Sequence, residues 1–414
     1  MFIVAVIFGF LQPAETQSKI PTAYARVDAH ALSAPRSVAT SVPLLASWLT
    51  KPFATDEEKT RAIFRWIAQN ITYDVDALFS GEPASGGAND ALRTRRGVCE
   101  GYSDLFSELA KVAGLTSVKI SGFAKGYGYS AGQAIGSKPN HAWNAVKIGG
   151  QWKLLDCTWG AGYIGDDRRF HRTFNSHYFF TPPEEFIFDH LPDQKQWQLL
   201  ESPQSVEEFE QSVLVRPKFF ALGLNLTGHP EGTIRTDGES VIRFEASENV
   251  AALAQFIRDN RNDDERQTFV QLEGGTLVIR ITPSGKGEYT LRLFGKSADE
   301  PGDYEWIVDY RVESLNPPNQ LPSYPRKLRG FDDRHVVLLE PFSGVLPASS
   351  TQTFRLKAPR ATQAAIVVDQ EWTFLQSNKG QFEGDAAIGH GSVTVCAKYP
   401  GQESWDILLE YQGR

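Results

Sequence analysis

The apolar residues of this chain recur with helical period up to about position 115, then alternate with the period of strands from about 117, and again after 213. The run 42–49 reads as a short amphipathic helix. A longer one extends over 56–70, with Ala62, Ile63, Trp66 and Ile67 as its buried stripe. Thr55 and Glu58 stand where a capping box requires them, at the N-cap and three residues on. Tyr102, Leu105, Phe106, Leu109, Val112 and Ala113 form the face of a third helix, closed by Gly114. Positions 117–123 read as a strand. The runs 141–148 and 151–159, joined by Gly149-Gly150, read as a β-hairpin. The stretches 170–180 and 184–190 are aromatic and proline-punctuated, and are expected to wrap the first domain.

Beyond 213, short alternating segments at 240–244, 276–281, 287–294 and 306–310 are separated by turn residues, as in a β-sandwich. A proline-rich linker follows, and the pattern recurs at 353–356, 364–368, 372–375 and 405–411. In each half a Gly-led run (287–296 and 391–398) precedes a strand ending in Tyr across a Pro-Gly pair, Pro301-Gly302 and Pro400-Gly401. This spacing suggests a duplicated module.

A length of 414 residues calls for two or three domains. The net charge of -8 argues for solubility and against a nucleic-acid partner. Three scattered cysteines, Cys99, Cys157 and Cys396, cannot build a disulfide framework, and the odd count leaves a free thiol. The apolar run 2–11 is too short to span a bilayer but fits the core of a signal peptide, although no basic residue precedes it. Export to the cell envelope or beyond is the expectation.

The hairpin permits a calculation. If Ile148 faces Gln151, then Trp143 faces Asp156 and His141 faces Thr158. His141 and Asp156 become diagonal neighbours on one face, with Cα atoms roughly 7–8 Å apart, and Cys157 points to the other. Cys99 opens a helix, where the positive end of the macrodipole favours a thiolate, and Arg93, Arg95 and Arg96 add positive charge nearby. Thiol-based acyl transfer needs a nucleophile, a histidine that passes the proton, and an acid that orients it. Cys99, His141 and Asp156 supply those types. The rival reading is a core cysteine, a core histidine and a structural aspartate that coincide. Trp143, Trp152 and Trp159 are expected to pack around this group. His171, His177 and His190 with Asp166 and Asp167 lack compact metal-ligand spacing, so neither a metal nor a cofactor is expected.

Three ordered blocks carry a resemblance: Gly97-Val98-Cys99-Glu100-Gly101-Tyr102, His141-Ala142-Trp143-Asn144, and Leu155-Asp156-Cys157-Thr158-Trp159-Gly160. The chain resembles the transglutaminase-like cysteine enzymes, and within them the kyphoscoliosis-peptidase group. The likeness continues through 177–190 into the β-rich tail. It implies an α+β, papain/transglutaminase-like catalytic domain followed by two all-β immunoglobulin-like sandwich domains. It also implies Cys99 as nucleophile, His141 as general base then acid, and Asp156 as orienter. The expected boundaries are a signal peptide over 1–18, the catalytic domain over 19–210, sandwiches over 211–316 and 326–414, and a linker over 317–325. The expected activity is cleavage of protein or peptide amides. Glutamine cross-linking or deamidation is one alternative, and a non-catalytic scaffold that binds a protein partner through the sandwiches is another. No transmembrane span is expected.

Overall fold

The structure is a computed structural model that describes residues 22–80, 87–226, 230–258, 261–262, 265–316 and 323–414. The leader expected over 1–18 and most of the linker expected over 317–325 lie outside the described residues. The chain divides into two compact units, one ending at Glu210 and the other running from Gln211 to Arg414, with Ser130–Gln133 grouped with the second. No helix among the described residues is long and apolar enough to cross a membrane.

In the first unit a helical layer precedes the sheet: α1 (Ala25–Leu32), α2 (Val42–Thr50), α3 (Asp56–Asn70), α4 (Val75–Ser80), α5 (Ala88–Thr94) and α6 (Cys99–Val112). Two short strands, β1 (Thr72–Tyr73) and β2 (Arg96–Gly97), pair in parallel. The capping box forms at the start of α3, where the Glu58 N–H donates to Thr55 Oγ1 at 3.2 Å and the Thr55 N–H donates to the Glu58 carboxylate at 3.4 Å. Ala62, Ile63, Trp66 and Ile67 are buried as the period requires. So is Arg61, a residue that the apolar pattern leaves out. Its guanidinium donates to both oxygens of Asp28 on α1 at 2.7 Å, and to Ser176 Oγ at 2.9 Å. In α6 the stripe Tyr102, Leu105, Phe106 and Leu109 is buried, but Val112 is 45% exposed. Val112 is the last residue of α6, and the core ends a turn before it. Gly114 adopts φ +75°, the left-handed conformation that ends helices.

The sheet consists of β3 (Ser117–Ala124), β4 (His141–Ile148), β5 (Gln151–Leu155), β8 (Phe179–Thr181) and β9 (His190–Pro192), antiparallel in the order β8-β5-β4-β3-β9. A small hairpin of β6 (Gly162–Ile164) and β7 (Phe170–Arg172) flanks it, together with the short helices α7 (Cys157–Ala161) and α8 (Pro183–Phe186). Gly149 and Gly150 both take positive φ, 56° and 86°, the turn that matches strand twist. Ile148 pairs with Gln151 and Asn144 with Leu155, the register read from the sequence.

Two corrections follow. The second arm of the hairpin stops at Leu155, not at 159, because Asp156 caps α7 and turns the chain into a helix. The aromatic stretch after 170 does not merely wrap the domain, since it supplies both edge strands, β8 and β9. Gly122 makes the β9 edge possible. A Cβ there would stand 2.3 Å from Leu191 O and 2.5 Å from the Trp143 ring.

The second unit holds two modules of like topology. The first comprises β10 (Leu214–Val215), β11 (Thr233–Thr236), β12 (Ser240–Glu245), β13 (Val250–Arg258), β14 (Arg261–Asn262), β15 (Thr268–Glu273), β16 (Thr276–Ile281), β17 (Gly287–Ser297) and β18 (Glu305–Ser314). The second comprises β19 (Arg326–Lys327), β20 (Val337–Glu340), β21 (Val345–Leu346), β22 (Ser350–Lys357), β23 (Gln363–Val368), β24 (Glu371–Phe374), β25 (Gln376–Asn378), β26 (Gln381–Ile388), β27 (Gly391–Lys398) and β28 (Asp406–Gly413). The larger sheets run β10-β18-β17-β13-β14, with β11 added in parallel to β18, and β19-β28-β27-β23-β24, with β21 added in parallel to β28. Each central hairpin, β17–β18 and β27–β28, contains a register shift. The Gly-led runs and Pro-Gly pairs in the sequence therefore mark equivalent hairpins. Phe269 of the first module packs into the core of the second with Tyr324 and Phe331. Strand β13 gives a weak sequence signal because its buried positions include Ala252 and Ala254, and alanine favours strands poorly.

Candidate active site

Cys99 is the first residue of α6, half-buried, after an extended Val98 that offers no side-chain cap. The N–H groups of that first turn have no acceptor within the helix. A Cβ at Gly97 or Gly101 would meet Ala91 Cβ at 3.8 or 3.5 Å, ordinary van der Waals contact, so packing against α5 does not require glycine at either position. Each arginine of the run is engaged by another group. Arg93 pairs with Asp90, Arg95 lies over the Trp66 ring at 4.7 Å, and Arg96 donates to Asp74 and Asp76 at 2.8 Å.

His141 opens β4, a strand buried from His141 to Val146. The side chain of Asn144 ties this strand to α6, donating to Ser103 O at 3.2 Å and Ser107 Oγ at 3.0 Å. His141 Nε2 lies 2.8 Å from Asp156 Oδ2, and the Cys99 side chain adjoins the same ring. With Nε2 committed to Asp156, Nδ1 is the nitrogen left for the thiol. The three residues named from the sequence thus meet.

Asp156 is fully buried and accepts four hydrogen bonds. Oδ1 takes the Thr158 N–H at 2.6 Å and the Trp159 N–H at 3.2 Å, while Oδ2 takes His141 and His190 Nε2 at 2.8 and 3.1 Å. Burial acts to raise its pKa, but the charge and hydrogen bond of His141, then those of His190, outweigh it and hold the carboxyl well below the usual carboxylate range. Burial acts to lower the pKa of His141. Asp156, with a smaller part from Cys99, overcomes this and raises it to about 10.

Sequence reasoning missed two residues here. His190 comes from the edge strand β9; the sequence placed it only among histidines of poor metal-ligand spacing, with nothing to tie it to Asp156. Tyr73 on β1 pairs with Gly97; its phenol is pushed up by burial first, then by Cys99 and Asp156. Trp143 and Trp159 pack against His141, with ring centroids at 5.9 and 5.5 Å. Trp152 does not, because it faces Trp197 at 5.1 Å. Cys157 is buried in α7, and burial followed by the Asp156 charge pushes its thiol well up. His141, Asp156 and His190 hold ligand-type atoms within 4.8 Å of one another. Both imidazole Nε2 atoms already bond one carboxylate oxygen, so as packed the cluster is a hydrogen-bonded network and not an open coordination shell.

Residues 45–157 match the sequence model of the transglutaminase-like superfamily, and residues 206–325 match that of the KY-like, immunoglobulin-like domain. A kyphoscoliosis peptidase of Mus musculus is 34% identical over 82% of this chain and 69% of its own length. One of Homo sapiens is 26% identical over 88% and 72%. Hillarin of Drosophila melanogaster is 32% identical over 69% of this chain and 38% of its own length. A transglutaminase-like domain is followed by a β-rich region with an immunoglobulin-like domain, and the first unit carries a Cys/His/Asp group.

Proposed function

Because the chain belongs to the kyphoscoliosis-peptidase family of the transglutaminase-like superfamily, we propose that it is a thiol-dependent enzyme that cleaves protein or peptide amides. The observation that carries this reading is His141, bonded through Nε2 to Asp156 at 2.8 Å and adjoined by the Cys99 side chain. Cys99 Sγ attacks the carbonyl carbon of a bound amide, and the carbonyl π pair moves onto oxygen. That oxyanion forms at the start of α6, where the Cys99 N–H is free of helical acceptors. The His141 imidazolium passes its Nδ1 proton to the leaving nitrogen as the C–N bond breaks, leaving a thioester on Cys99. Neutral His141 then takes a proton from water, whose oxygen attacks the thioester. The acid departs, and the thiolate–imidazolium pair is restored.

An amine in place of water would give cross-linking, and a glutamine side chain attacked by Cys99 and released by water would give deamidation. The name peptidase borne by the relatives favours hydrolysis of the main chain. The deciding experiment incubates the full chain with a protein substrate and a labelled amine, then reads cleavage, deamidation and amine incorporation by mass spectrometry. Cleavage is the expected product. Loss of none of these activities in Cys99→Ala would defeat the reading.

A second role, gripping a protein partner through the β-rich unit, is supported by an exposed aromatic cluster. Trp372 and Phe374 on the edge strand β24 are both exposed, and Trp405 lies 5.0 Å from Trp372 and 6.0 Å from Phe374 between ring centroids. In this reading Trp372→Ser weakens turnover of a protein substrate and leaves turnover of a short peptide amide unchanged. Equal effects on both would count against it.

A further inference from the structure

His190 is completely buried, and each of its ring nitrogens faces a carboxylate. Nδ1 lies 2.5 Å from Asp189 Oδ1, and Nε2 lies 3.1 Å from Asp156 Oδ2. A neutral imidazole carries one N–H, so one of these contacts would set a nitrogen lone pair against a carboxylate oxygen. Both contacts are favourable only in the imidazolium. The remaining carboxylate oxygens are also met by donors, Asp156 Oδ1 by two backbone N–H groups and Asp189 Oδ2 by the Tyr178 hydroxyl at 3.0 Å. Aromatic rings enclose the imidazole: Phe186 stacks on it at 4.1 Å, Trp159 lies at 4.5 Å and Trp143 at 5.0 Å.

We propose that His190 is a fixed buried cation that positions Asp156 for His141, so that the acid of the triad is a carboxylate clamped between two imidazole rings. The proposal rests on the triad reading above. His190 is a positioning residue, because it reaches the reacting atoms only through Asp156. Asp189 balances its charge and is itself held by Tyr178. Burial would strip the ring of its proton, but Asp189 and the hydrogen bonds to Asp156 and Asp189 prevail and raise the His190 pKa. The other titratable groups around this network are His141, with its ring centroid at 5.3 Å, His177 and Lys125, which feel the Asp189 charge, and Tyr73, Tyr102 and Cys157, which feel the Asp156 charge. The clamp gives Asp156 one orientation. Oδ1 is pinned by the first turn of α7, and Oδ2 is shared by two N–H donors that approach from β4 and β9.

A cation and a structural neutral ring make different predictions. In the full chain carrying 15N-labelled histidine, both His190 ring nitrogens are expected to keep imidazolium shifts from about pH 5 to about pH 9. A His190 signal that titrates in that window, or that shows a neutral tautomer, overturns the proposal. The second measurement needs no substrate: the rate of Cys99 alkylation by iodoacetamide as a function of pH. Removing a fixed positive charge raises the pH at which each nearby proton leaves, so His190→Gln should move the alkylation profile upward by about half a pH unit or more. Gln can still donate to Asp156, so it should react faster than His190→Leu, which loses both donor and charge. A folded His190→Gln chain with an unshifted profile overturns the proposal. If Cys99 of the wild-type chain reacts at no pH, the triad reading fails instead, and the histidine shifts alone decide the charge of His190.

Discussion

Two helices of the first unit begin with a cysteine, and their tips differ in everything else. At the tip of α6, Val98 contributes no side-chain cap, Cys99 is half-buried, and the His141 ring adjoins it. At the tip of α7, the Asp156 carboxylate occupies the cap and takes the first N–H groups, and Cys157 is 2% exposed. A helix N-terminus favours an anion in both places. At α7 that anion is already present, so its charge and the loss of water act together against a thiolate on Cys157. The positive end of a helix is therefore not enough to favour a thiolate. What decides is which group occupies that end first, and whether a proton carrier stands beside the sulfur.

This contrast can be broken by exchanging or deleting its parts. The largest expected effect is that of Cys99→Ala, which should lower amide turnover by about a thousand-fold or more, as removal of a triad nucleophile does. Product mass spectrometry reads it, and a small loss would place the nucleophile elsewhere. Next comes Asp156→Asn. The amide still accepts from the first turn of α7, but its NH₂ faces His141 and His190 where an acceptor is required. A loss of about a hundred-fold or more in turnover is expected, with the helix cap retained. A near-normal rate would remove the orienting role.

A titration separates the two tips more gently. The folded pKa of His141, about 10, lies above its ordinary value of 6.5. The stability it contributes is thus complete below about pH 6.5 and is lost as pH rises towards about 10. Denaturant unfolding across that window should show the decline, and His141→Gln should flatten it. The smallest effect belongs to Cys157→Ala, which should leave turnover within about two-fold and cost about 1 kcal/mol of stability for the lost packing, read from the denaturation midpoint. Loss of iodoacetamide labelling in this variant, but not in Cys99→Ala, would reverse the contrast.

Much of this arrangement was legible from local signals. The stripe in α3, its capping box, the face of α6 and the Gly149-Gly150 turn each act within a dozen residues. The turn carries most weight, because it fixes the register from Ile148–Gln151 to Asn144–Leu155 and brings the end of β5 alongside β4. The same reasoning failed one residue later, at Asp156. An alternating run looks the same whether it continues as a strand or is captured by a cap, and the helical dipeptide Cys157-Thr158 carries no strong propensity. The buried Arg61 was invisible for a related reason. A charge inside an apolar stripe becomes a core residue only when a partner such as Asp28 arrives from another helix.

The sequence by itself therefore determined the main helices, the hairpin register and the doubling of the β-rich module. All of these are set by periodicity, capping and turn chemistry along a short stretch of chain. Only the tertiary structure decided which cysteine stands next to a proton carrier, which arginines are consumed in ion pairs, and that His190 closes on Asp156 from the far edge of the sheet. Those outcomes depend on groups distant in sequence sharing one buried volume. There the loss of water makes every charge seek a specific partner, and the identity of that partner is a property of packing.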